Sequence, residues 1–81
     1  MNDSKLRNSF SQALGLPIEQ VTDELAYSSI KEWDSVGHMA LVAALEGEFD
    51  IMLDTDDILA MSSVAKAREI LGRYGVTFDA A

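Results

Sequence analysis

The 81-residue chain has no cysteine, one proline, and only six Lys and Arg against fourteen Asp and Glu. Without cysteine there is no disulfide framework, no thiolate metal site and no nucleophilic thiol of the protein's own, and a reducing compartment fits. With a net charge of −8, the surface repels phosphate backbones and anionic lipid headgroups. Nucleic acid and membrane are therefore not expected as partners, whereas a basic protein surface is. No stretch approaches the roughly 20 apolar residues of a membrane span, and the start Met1-Asn-Asp-Ser-Lys lacks the apolar centre of a signal peptide. A soluble, cytoplasmic, monomeric protein is expected. So short a chain buries only about 60–65% of the surface it exposes when unfolded, which favours a single domain over 1–81 and disfavours a deep two-lobed cleft.

The acids that are present are unevenly placed. Glu32, Asp34, Glu46, Glu48, Asp50, Asp54, Asp56 and Asp57 fall in one segment that contains no Lys or Arg. That segment carries the whole net charge, because the acids and bases outside it balance. No linker, low-complexity stretch or internal repeat divides the chain.

Hydrophobic spacing predicts an all-α fold: a small four-helix bundle with three longer helices, one short third helix and a long loop between the first two. Leu6, Phe10, Ala13 and Leu14 form one stripe after the capping candidates Asp3 and Ser4, and Gly15 and Pro17 end that helix. The stretch from Gly15 to Trp33 shows no sustained period, with Leu16, Ile18, Val21, Leu25 and Ile30 as anchors. A second helix is predicted from Ser35 to Phe49, capped by Asp34, with Leu41, Val42, Leu45 and Phe49 facing inward. Gly37 and Gly47 each cost it about 1 kcal/mol relative to alanine. A short helix over Thr55–Met61 and a last one behind Ser62-Ser63, with Val64, Ala67, Leu71 and Tyr74 in step and Gly75 as stop, complete the set. Order is expected over about 3–75, with the tail 76–81 frayed.

Candidate chemistry is sparse. The single histidine, His38, lies three residues beyond Ser35 on the same predicted helix, where side chains diverge, so a serine triad is implausible. Asp54-Thr-Asp56-Asp57-Ile58 resembles the start of a calcium loop, but the fifth position is Ile and the glycine and closing glutamate are missing. No catalytic or metal-ligating residue is assigned, and an enzyme is not expected.

One constellation remains: Glu32-Trp33-Asp34-Ser35-Val36-Gly37-His38-Met39-Ala40-Leu41, followed by Val42-Ala-Ala-Leu45-Glu46 and Glu48-Phe49. Together with Gly15-Leu16, Val21-Thr22 and Ser63-Val64, this pattern resembles the acyl carrier protein family. The resemblance implies that Ser35 receives a phosphopantetheine arm from coenzyme A, whose pyrophosphate the serine attacks. Asp34 would cap the helix and help the modifying phosphopantetheinyl transferase place its magnesium, and the terminal thiol of the arm would carry the cargo as a thioester. The first turn of a helix, with its unpaired N–H groups and positive dipole end, suits an attached phosphodiester. The carrier is then a substrate of its partners: the transferase, an acyl-loading enzyme, and a ketosynthase or acyltransferase with basic docking patches.

Around Ser35, the flanking positions are Asp34, Val36, Trp33 and His38. Trp33 anchors the long loop or contacts the arm, and His38 is a spacer or a functional neighbour. Met39, Ile58 and Met61 are either core or adaptable apolar docking contacts beside the acids Glu46, Glu48, Asp54, Asp56 and Asp57. Ala40, Ala43, Ala44 and Gly47 leave room for an acyl chain beside the second helix or allow close packing. Gly37, Ala40 and Gly47 stand where fatty-acid-synthesis carriers commonly have acids, and Trp33 where they have small residues. The resemblance leaves a fatty-acid, a polyketide or another specialised pathway open, and these departures favour a discrete carrier of a specialised one, such as polyketide, modified-lipid, aminoacyl or hydroxyacyl chemistry. The alternative from another class is an acidic four-helix interaction module that carries no arm.

Overall fold

The computed structural model describes residues 2–78. Four α-helices follow one another: α1 (Asn2–Leu14), α2 (Ser35–Phe49), the short α3 (Thr55–Ala60) and α4 (Val64–Arg73). A single 3-10 turn at Ile18–Gln20 interrupts the long loop between α1 and α2. The small all-α bundle expected from the spacing is therefore present. Among the described residues the only extended pairing is one isolated bridge between Ala26 and Ser63, and no helix is long and apolar enough to cross a membrane.

The apolar stripes explain the packing. Leu6, Phe10 and Leu14 of α1, Leu41, Val42 and Leu45 of α2, and Val64, Ala67, Ile70 and Leu71 of α4 meet in one buried core. Leu16 and Val21 join it from the loop. Fully burying such a side chain stabilises the fold by about 1.5–3 kcal/mol. Two boundaries differ from expectation. α1 already includes Asp3 and Ser4, and Asp3 accepts a 2.7 Å ion pair from Arg68 of α4 instead of capping its own helix. α3 stops at Ala60, and Met61 turns inward to 1% exposure.

Helix ends are closed locally. The Asp34 carboxylate accepts the Gly37 N–H at 2.8 Å, and the Ser63 hydroxyl accepts the Lys66 N–H at 3.0 Å. Each such cap contributes about 1 kcal/mol. Gly15, at φ +68°, takes the left-handed conformation that ends α1.

Phe49, partly buried, packs against the core from the end of α2 as expected, and meets Phe78 edge-on at 6.2 Å. At residues 76–78, Val76 and Phe78 pack against the core, and the Asn2 side-chain amide donates to the Thr77 carbonyl at 2.8 Å. Residues 79–81 of the expected frayed tail lie outside the described residues. Ala40, Ala43 and Gly47 sit on the outer face of α2 and Ala44 at its margin, so they neither line an internal space nor seat a neighbouring helix.

Candidate functional site

The Gly15–Trp33 loop shapes the surroundings of Ser35. Its second half is stitched to the α3–α4 junction, where Tyr27 N–H donates to the Ser62 carbonyl at 2.8 Å and Val64 N–H to the Leu25 carbonyl at 3.0 Å. Ser28 adopts a left-handed φ of 67°, which turns its N–H onto the Trp33 carbonyl at 2.9 Å. That turn delivers Trp33 into the core, where it is fully buried and meets Phe10 edge-on at 5.2 Å. Its role as the anchor of the loop is thus borne out.

A buried indole still needs a partner for its N–H. Trp33 Nε1–H donates to His38 Nδ1 at 2.9 Å, and His38 Nε2–H donates to the Ile58 carbonyl at 2.8 Å. Because Nδ1 must accept, this arrangement requires the neutral Nε2–H tautomer. Leaving the indole N–H unpaired would cost about 1–3 kcal/mol. His38 is therefore more than a spacer, since one half-buried ring joins the loop, α2 and α3.

Gly37 explains why the loop can approach so closely. A Cβ at this position would overlap the Glu32 carbonyl oxygen and stand 3.1 Å from Leu14 Cδ2. An acidic side chain cannot occupy the position without moving the loop away from the start of α2.

These contacts leave Ser35 exposed as the first residue of α2. Asp34, also exposed, spends its carboxylate on the cap, and the Asp34 carbonyl accepts the His38 N–H at 2.7 Å. The N–H groups of Ser35 and Val36 have no intrahelical acceptor. Beside Ser35 opens a largely apolar groove of about 340 Å³, lined by Tyr27, Ser35, His38, Met39, Ile58, Leu59, Met61 and Ser62. Its volume falls at the small end of the roughly 300–1,000 Å³ typical of small-molecule sites.

The apolar candidates separate by exposure. Met39 is 57% exposed and Val36 77%, beside the serine, while Ile58 is half-buried on the groove wall. Of its two expected roles Met61 takes the core one: it contributes to the groove floor and offers no protruding docking contact. Leu59, 77% exposed on the other side of the groove, is the protruding residue of α3. Tyr27 and Ser62 were missed, because nothing in the sequence announces the Tyr27–Ser62 backbone bond that brings them there.

The acids divide as well. Glu48, Asp54 and Asp56 are exposed, whereas Glu46 Oε2 accepts the Leu53 N–H at 2.9 Å and holds the α2–α3 turn. Asp57 accepts the Tyr74 hydroxyl at 2.6 Å and pairs with Arg73 at 3.3 Å. Tyr74 also receives the Asp54 N–H on its hydroxyl oxygen at 3.0 Å. The bond to Asp57 raises the Tyr74 pKa above its ordinary value. Glu46 and Asp57 therefore build the fold, a role that the charge pattern alone does not distinguish from docking.

An exposed hydroxyl at a capped helix start, flanked by acids and opening on an apolar groove, defines a domain able to present a covalently tethered group. The family model described as the phosphopantetheine attachment site matches residues 4–71, and the chain belongs to that family. Its members bear phosphopantetheine as a covalent prosthetic group. The residues here fit such a group: the hydroxyl is accessible, two backbone N–H groups remain for a phosphodiester, and an apolar trough begins at the same residue.

Proposed function

We propose that Ser35 is the attachment residue and that the protein is an acyl carrier. The observation that carries this reading is the exposure of Ser35 at the Asp34-capped start of α2, at the rim of the groove. When bound, the arm supplies the terminal thiol that the cysteine-free chain lacks, and cargo is held there as a thioester. The chain's own residues present the Ser35 hydroxyl to a transferase, offer the first-turn N–H groups to the phosphodiester, and keep the arm at the mouth of an apolar trough. The protein acts as substrate and carrier, with bond-making left to its partners.

The cargo is an acyl, aminoacyl or hydroxyacyl intermediate of a specialised pathway. Support comes from Gly37, where the loop excludes an acid, and from Trp33, which closes the core next to the attachment point. Partners are the phosphopantetheinyl transferase, the loading enzyme and a ketosynthase or acyltransferase, docking basic patches against Glu48, Asp54 and Asp56 around the apolar Val36, Met39 and Leu59.

The test is to incubate the protein with coenzyme A, magnesium and a broad-specificity transferase and to weigh the intact product. One phosphopantetheine addition is expected, lost in Ser35→Ala. No addition with transferases that modify a control carrier would favour the interaction module instead.

A further inference from the structure

We infer that the Trp33–His38 pair is a fixed inner wall that confines the arm and its cargo to the groove beside Ser35, setting a short limit on the acyl length the protein shelters. This inference rests on the carrier reading, and it concerns what lies behind the groove. Going inward from the surface, the aromatic lining rings are Tyr27 and His38. Their centroids are 5.5 Å apart at 83°. Behind both lies Trp33, nearly coplanar with His38 and joined to it edge to edge, with ring centroids 6.2 Å apart at 16°, and edge-on to Tyr27 at 6.3 Å. Behind Trp33 lies Phe10 of α1, itself fully buried like Leu41 and Leu45.

A chain tethered at Ser35 that grew inward past the aromatic lining, toward Trp33 and Phe10, would have to displace His38, which is held at both ring nitrogens. Displacement would strip the acceptor from the buried Trp33 N–H and the donor from the Ile58 carbonyl at the same time. Growth outward meets no such obstacle, since Met39 and Leu59 flank an open mouth. The small residues of α2 give no other way in, because they lie on its outer face or margin. Short cargo therefore rests in the trough, and the far end of a long chain stays in water or passes to an enzyme.

The test uses the chain's single tryptophan as reporter. The protein is loaded by a transferase from acetyl-, butanoyl-, octanoyl- and dodecanoyl-coenzyme A, and intact mass confirms each product. The Trp33 indole N–H and the amides of Met39, Ile58 and Leu59 are then followed by NMR. The amides should shift on loading and stop changing after the shorter acyl groups, while the indole signal stays in place throughout. An indole signal that moves progressively with chain length would overturn the inference, as would groove amides that no loaded form perturbs. In His38→Ala the indole signal should acquire a dependence on chain length; a folded His38→Ala protein without it would also overturn the wall. His38→Gln, whose amide can replace both hydrogen bonds, should behave like the original, and a chain-length-dependent indole signal there would count against the two bonds as the barrier. If His38→Ala does not fold, the original protein's acyl series decides alone. A chain that gains no mass fails the carrier reading, whereas one that gains every mass but shows the wrong resonances fails this inference only.

Discussion

Gly37 of α2 lies against the backbone carbonyl of Glu32, with the space for a Cβ already taken by that oxygen. The helix start and the loop that leads into it are thus locked together by the absence of a side chain. Gly37→Ala should lower stability by about 1–3 kcal/mol, the range for forcing extra atoms into a packed site, against the gain of about 1 kcal/mol expected from helix propensity alone. Chemical denaturation measures the sign. Because displacement of Glu32 also moves Trp33 and Asp34, transfer of the arm to Ser35, the proposed attachment residue, should slow in the same variant.

That glycine shows where the sequence was informative and where it was not. The stripes Leu6-Phe10-Leu14 and Leu41-Val42-Leu45, and the caps Asp34 and Ser63, are local signals, and they placed three helices nearly to the residue. The Asp34-Ser35 opening of α2 was legible for the same reason. Gly37 read as a propensity cost because its purpose is a contact with a loop that has no period. His38 looked like a spacer because its two partners lie five residues before it and twenty after it. Glu46 and Asp57 carry the same formal charge as Glu48 and Asp56, and only the fold separates a turn acceptor from a solvated acid. The outward position of Leu59 was not legible, because a single short turn gives no stripe from which to tell inward from outward.

Arg68 joins three segments. Its guanidinium reaches Asp3 of α1 at 2.7 Å and Asp23 of the loop at 3.0 Å, and stands 6.0 Å from the centre of the Phe78 ring. The groups are partly exposed, so each pair is worth at most about 1 kcal/mol, with the side-chain stem adding packing. Arg68→Ala should cost about 1–2 kcal/mol in urea unfolding. Part of the deficit should disappear at high salt, since screening weakens the ion pairs in the original protein.

Tyr74 makes the alkaline side of the stability profile specific. Its phenolic proton is shared with Asp57, which holds the pKa above the ordinary tyrosine value, about 10. A raised folded-state pKa means that the contribution is complete below the unfolded value and lost as pH rises through the folded one. Melting temperature should therefore fall as pH climbs past the ordinary tyrosine range, as α3 loosens from the end of α4. Tyr74→Phe should melt lower at neutral pH and show a weaker alkaline decline. An unchanged alkaline profile in Tyr74→Phe would place the titrating group elsewhere.

The division among the acids yields a test that separates docking from folding. Glu48→Lys and Asp56→Lys alter exposed charges, so unfolding free energy should change by no more than about 0.5 kcal/mol. Their effect should appear as slower association with a basic partner and a weaker dependence of that rate on ionic strength. Glu46→Gln and Asp57→Asn remove charges that the fold uses: the first weakens the acceptor for Leu53 N–H, the second the pairing with Tyr74 and Arg73. These variants should lose about 1–3 kcal/mol of stability, and at temperatures where they remain folded should associate nearly as fast as the original. Stopped-flow association measured beside thermal melting distinguishes the two patterns. If all four substitutions slowed association equally and left stability alone, the acidic segment would be one undifferentiated docking surface, and the internal roles of Glu46 and Asp57 would be wrong.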